Sequence, residues 1–131
     1  MNRAERSRQQ KRDKKAAEAS YQKALTINPD SAASHRNLGI AFRKQGKLDK
    51  AVVSYQKALS IKPDYAEAHI SLGNAFSDLG KLDEAVASYH KALAIKPDSA
   101  AAHNNLGLAL RELAKLGEAV TSYHKALAIK P

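Results

Sequence analysis

The chain has 131 residues, a formal net charge of +9, 44% hydrophobic residues and no cysteine. That length suits one small domain, and the missing cysteines exclude disulfides, thiolate metal sites and thiol nucleophiles. No apolar run is long enough for a signal peptide or a membrane span, so a cytoplasmic location is the default expectation.

Residues 1–15 carry seven basic side chains (Arg3, Arg6, Arg8, Lys11, Arg12, Lys14 and Lys15) against Glu5 and Asp13, which is +5 of the net charge. Almost nothing apolar is available there for packing. Arg, Lys, Gln and Ala favour helix, so this arm is expected to extend the following helix as a solvated rod, or else to fray. A basic tail points to an acidic partner, a nucleic acid or a membrane surface. No aromatic residues interleave the charges and no nucleic-acid module is present, so a solvated arm is preferred to direct nucleic-acid contact.

Residues 16–31 read as one amphipathic helix, with Ala17, Tyr21, Ala24, Leu25 and Ile27 followed by Pro29. Then a segment begins that occurs three times at a period of 34 residues: 32–65, 66–99 and 100–131. Within the first copy, helices are expected over Ala32–Gln45 and Leu48–Ile61. Leu38, Ala41 and Phe42 mark one apolar face; Ala51, Val52, Tyr55, Ala58 and Leu59 mark the other. Gly39 and Ala51 are small enough to let the paired helices approach, while Tyr55 and Leu59 are expected to fill the space between hairpins. Gly46 and Gly80 stand where the first helix stops. Asp49 and Asp83 are expected to cap the second helix, and Asp64 and Asp98 the next first helix. Pro63, Pro97 and Pro131 close the units.

The shared positions are Leu38, Leu72 and Leu106, each followed by Gly39, Gly73 or Gly107; Tyr55, Tyr89 and Tyr123; and Ala58, Ala92 and Ala126. This period and residue set resemble the tetratricopeptide repeat over about residues 16 to 131. The resemblance implies an all-α fold, a right-handed α-α superhelix of antiparallel helix hairpins. By pattern, residues 16–31 are a half repeat with only the second helix, followed by three units, the last uncapped. Three departures stand out. His35, His69 and His103 occupy a place where such repeats often carry Trp. Ala114 replaces the turn glycine of the last unit, so that turn is expected to be looser or differently shaped. Gly117 stands in place of the capping Asp.

Both ends of the array lack a covering helix. The faces around Tyr21 and Leu25, and around Val120, Tyr123 and Leu127, are expected to be sticky. The chain is therefore expected to form a homodimer or higher oligomer, which is compatible with its being a fragment of a longer protein.

Histidine invites a metal reading, but His35, His69 and His103 are a repeat step apart, about 10 Å. That is too far for one zinc ion, whose His nitrogens lie at about 2 Å. His90 and His124 likewise occur once per unit. Ser54, Ser88 and Ser122 recur by period as surface or packing residues. No nucleophile–base set and no phosphate loop is visible, so neither catalysis nor a metal or cofactor is expected.

The resemblance instead implies binding of a peptide or partner segment in a concave groove lined by the first helices. The residues there that differ between units are Arg36, Asn37, Ile40, Arg43 and Lys44; then Glu67, Ile70, Ser71, Asn74 and Asp78; then Asn104, Asn105, Leu108, Arg111 and Glu112. Chaperone-adaptor members clamp a terminal carboxylate with Lys, Asn and Arg. Arg36 fits that set, whereas Ile40, Ser71 and Ala101 break it. Asn37 and Asn105 resemble the asparagine ladder of the enzyme that adds N-acetylglucosamine to serine and threonine, with Ser71 interrupting; Asn-Leu-Gly is also ordinary repeat consensus. An interaction scaffold is the first expectation. The alternatives are the repeat portion of a larger enzyme, such as a glycosyltransferase or sulfotransferase, and docking of the basic arm on an anionic surface.

Overall fold

The computed structural model describes residues 1–130, the side chain of Leu116 excepted. Among these residues there are seven α-helices and no strand: α1 (Arg3–Ile27), α2 (Ala32–Lys44), α3 (Leu48–Ile61), α4 (Ala66–Asp78), α5 (Leu82–Ile95), α6 (Ala100–Glu112) and α7 (Leu116–Ile129). They fall into two units, Met1–Pro63 and Asp64–Pro131. Pro131, expected to close the last repeat, lies outside the described residues.

In the first unit, α1 is a continuous helix of 25 residues, so the basic arm is the rod rather than a frayed end. Its start is fixed by a reciprocal cap. Asn2 Oδ1 accepts the Glu5 backbone N–H at 2.8 Å, while the Asn2 amide donates to Glu5 Oε1 at 3.0 Å. No side chain of α1 is buried. A half-buried stripe of Lys14, Ala17, Glu18, Tyr21, Ala24 and Leu25 follows helical spacing, and α1 packs against α2. Gln45 Nε2 donates to Glu18 Oε1 at 2.9 Å, and Lys47 Nζ lies 3.4 Å from the same oxygen. The Gln45 bond, helped by the Lys47 charge and opposed by desolvation, holds the Glu18 carboxyl below its ordinary 4.5.

Each hairpin is built on one contact between a glycine and a tyrosine. A Cβ placed on Gly39 would lie 2.5 Å from Tyr55 Cε1; on Gly73, 2.5 Å from Tyr89 Cε1; on Gly107, 2.6 Å from Tyr123 Cε1. The tyrosine ring thus lies flat against its own hairpin partner, so its first task is within the hairpin. Tyr89 also joins Ala85, Leu106, Ala109, Leu110 and Ala119 in the core of the second unit, with Ile70, Phe76, Val86, Leu93 and Tyr123 packed around it. Intra-hairpin and inter-hairpin packing therefore share one ring.

Capping differs from expectation. The residues before the second helices are Lys47, Lys81 and Lys115, none with a side-chain cap bond. Asp49 and Asp83 stand one position inside the first turn, where their charge meets the positive end of the helix dipole. For the first helices the cap falls one residue after the expected aspartate. Ser99 Oγ accepts from the Ala102 N–H at 3.2 Å, and Ser31 Oγ from the Ser34 N–H at 3.1 Å. Tyr65 occupies that place before α4 and makes no such bond.

The three hairpin turns are alike. Gly46 and Gly80 have φ of +76° and Ala114 has φ of +61°. The residue after each donates back to Phe42 O, Phe76 O and Leu110 O at 2.9, 2.8 and 2.8 Å. Ala114 therefore adopts the glycine conformation, and the last turn is strained rather than reshaped.

Candidate functional site

On the first helices the repeated apolar residues are buried, and most of the residues that differ between units are exposed or half-buried. On α4 and α6 of the second unit, Leu72, Gly73 and Ala75 and their counterparts Leu106, Gly107 and Ala109 are buried. Glu67, Asp78, Asn104, Leu108, Arg111 and Glu112 are exposed, and Ile70, Asn74 and Asn105 are half-buried. Ser71 is buried, which removes it from the surface expected to meet a ligand. On α2 of the first unit, Arg43 and Lys44 are exposed and Arg36, Asn37 and Ile40 half-buried.

Asn105 of the expected asparagine row is engaged with Asn74, which lies outside that row. Asn74 Oδ1 accepts from Tyr89 OH at 2.6 Å and from Asn105 Nδ2 at 3.0 Å. Two of the candidate amides are thus joined across α4 and α6, leaving the Asn105 carbonyl and the Asn74 NH₂ for an outside partner. This pairing was not legible from the ladder pattern, in which Asn74 has no place. Glu67 sits 3.9 Å from Lys96, an exposed pair of small energetic weight.

The repeated histidines hold the inter-repeat loops. His35 Nε2 donates to Pro29 O and His103 Nε2 to Pro97 O, both at 2.9 Å. A carbonyl can only accept, so Nε2 carries a proton, while Nδ1 of both rings is buried with no partner. The signal lay in the sequence as a proline followed by histidine at the sixth position, repeated with the 34-residue period. Among the described residues no group of three or more His, Asp or Glu side chains is placed to hold a metal ion. No described helix is long and apolar enough to cross a membrane.

The faces expected to associate differ from each other. Val120 and Leu127 of α7 are 53% and 58% exposed, whereas their counterparts Val86 and Leu93 pack onto the core beside α6. Tyr123 is half-buried against Gly107, and Tyr21 and Leu25 are half-buried on α1.

Comparison with known proteins agrees with this architecture. The family model for the TPR repeat matches residues 8–46, 40–80 and 73–113, and that for the tetratricopeptide repeat matches 100–131. The chain belongs to the tetratricopeptide repeat family. Among solved structures, the crystal structure of MamA is 29% identical with a TM-score of 0.84, covering 89% of this TPR chain and 68% of that one. The first TPR of Spaghetti (RPAP3), bound to the HSP90 peptide SRMEEVD, is 28% identical with a TM-score of 0.75, covering 76% and 79% respectively. Curated protein sequences give no significant match. The fold is thus the all-α fold of TPR solenoids, and a protein-interaction role accords with these neighbours.

Proposed function

We propose that this TPR protein is an interaction scaffold that holds an extended peptide or partner helix on the surface presented by the first helices of its second unit, α4 and α6. One observation carries the reading: on α4 and α6 the shared Leu72/Leu106, Gly73/Gly107 and Ala75/Ala109 are buried, while Glu67, Asp78, Asn104, Leu108, Arg111 and Glu112, which differ between the two, are exposed. A surface of mixed amides, aliphatic groups and both signs of charge suits a polypeptide ligand. The Asn74–Asn105 pair can donate to and accept from a peptide backbone. That the RPAP3 TPR neighbour is bound to the HSP90 peptide SRMEEVD supports a polypeptide ligand.

The test is selection of binders from a displayed peptide library, followed by affinity measurement. Replacing Asn105 by Ala, Leu108 by Glu and Arg111 by Glu together is expected to weaken selected peptides at least about tenfold. Unchanged affinity for every selected peptide would remove the reading.

The exposed Val120 and Leu127 support a further element, self-association through α7. Light scattering over a concentration range is expected to give a mass above the monomer, and Val120→Glu with Leu127→Glu is expected to return it to the monomer.

A further inference from the structure

The first unit contains a slot that in the second unit is filled. A shift of 68 residues carries α1 and α2 onto α5 and α6. Tyr21 maps to Tyr89, Ala17 to Ala85, Asn37 to Asn105 and Ile40 to Leu108. In the second unit α4 packs against both α5 and α6. There it lays Gly73 on the Tyr89 ring and accepts the Tyr89 hydroxyl on Asn74. No helix of the first unit takes that place beside α1. Instead a cavity of about 170 Å³ opens there, with Ala17, Tyr21, Asn37, Ile40 and Ala41 in its lining.

The slot differs from its filled counterpart in charge. Lys14 stands where the second unit has Leu82, and Lys44 where it has Glu112. Both line the cavity. Further along, a second hollow of about 350 Å³ is lined by Lys11, Arg12, Lys14, Lys15, Lys44 and Gln45, with no acidic side chain among them. A helix lying in the slot as α4 lies on α5 would run antiparallel to α1. Its C-terminal end, the negative end of its dipole, would then face these cations.

We propose that this slot docks an amphipathic helix of another protein, one with a glycine over Tyr21 and acidic residues in its last turns. The glycine requirement follows from the ring: a Cβ on Gly73 would meet Tyr89 at 2.5 Å. A second copy of this chain suits the slot poorly. Its α1 repeats the same positive charge, and the exposed apolar face of α7 carries no acidic cluster. The slot is lined by α1 and α2 and shares no residue with the surface of α4 and α6 proposed above, so the two can fail independently.

The probe is a hydrocarbon-stapled peptide of residues 65–79, whose sequence fills the equivalent slot of the second unit and which contains Gly73 and, in its last turn, Asp78. Stapling is needed because a free helix of this length is marginal in water. Fluorescence anisotropy is expected to show saturable binding that weakens as salt rises. Gly73→Leu in the peptide, which leaves the protein untouched, is expected to weaken binding at least about tenfold. Tyr21→Ala, or Lys14→Glu with Lys44→Glu, in the protein is expected to do the same while circular dichroism stays unchanged. Equal binding by the Gly73→Leu peptide would overturn the proposal, as would insensitivity to the lysine changes. A dimer that Tyr21→Ala dissociates and the peptide fails to displace would also overturn it, since a second copy would then hold the slot.

Discussion

Ala114 gives the fold a built-in experiment on backbone strain. It holds φ of +61° in a turn whose two siblings use glycine at +76°, with the same closing hydrogen bonds. An L-residue in the left-handed region costs roughly 1–2 kcal/mol. Replacing Ala by Gly returns that cost but loosens the unfolded chain by roughly 0.4–1 kcal/mol. Ala114 is exposed, so removing its methyl forfeits no core packing. Ala114→Gly is therefore expected to stabilise by about 0.5–1 kcal/mol, a rise of a few degrees in Tm for a domain of this size. The mirror changes test the sign. A Cβ on Gly46 or Gly80 meets nothing within 4 Å, so Gly46→Ala and Gly80→Ala isolate the strain alone. Each is expected to destabilise by about the same 0.5–1 kcal/mol. Urea unfolding of the three variants gives the magnitudes, and amide exchange in the α6–α7 turn places the effect locally. If Ala114→Gly lowers stability while Gly46→Ala does so too, strain at these turns is not what separates glycine from alanine.

Further expectations follow from the same contacts. Gly107→Ala drives a methyl into the Tyr123 ring and is expected to destabilise by about 1–3 kcal/mol in urea unfolding, with Gly117→Ala as a benign control, since a Cβ there meets nothing. Tyr89→Phe removes the hydroxyl bonded to Asn74 and is expected to cost about 1 kcal/mol. Tyr123→Phe is expected to be near neutral, because that hydroxyl is buried without a partner. Leu108→Asn, which restores the residue type of Asn74 opposite Tyr123, is expected to stabilise and to make Tyr123→Phe costly in that background. For Glu18 the folded carboxyl titrates lower than the unfolded one. Its contribution is therefore complete above pH 4.5 and lost as pH falls through the folded value. Glu18→Gln is expected to flatten that part of the stability–pH profile.

The hairpins were legible because identical residues recur at one period, and the demand for burial repeats in every unit. Leu72, Gly73, Tyr89 and Ala92 announce themselves for that reason. Capping was misplaced by one or two residues because Asp, Ser and Gly all tolerate several positions near a helix start. Asp49 serves the dipole from inside the first turn as well as it would have served the cap. The last turn was expected to change shape at Ala114, yet the surrounding hydrogen bonds hold the geometry and the residue carries the strain. The histidine-to-proline bond was hidden by assigning each residue its own repeated role, when the pair spans the junction of two repeats.

The proposed interaction surface was legible only as a set of differences, and differences show where the demand for packing stops rather than what replaces it. Asn74 illustrates the limit. In sequence it is a variable position, hence a ligand candidate; in the structure its carbonyl already accepts from Tyr89 and Asn105. The corresponding residue in the last hairpin is Leu108, and the Tyr123 hydroxyl is left without an acceptor. One substitution between repeats thus changes an internal bond and the outer surface together. Variation along α4 and α6 can therefore alter hairpin stability as well as partner choice. Leu108→Asn separates the two: a gain in stability with unchanged peptide affinity assigns this position to the hairpin, and a loss of affinity at equal or greater stability assigns it to the ligand.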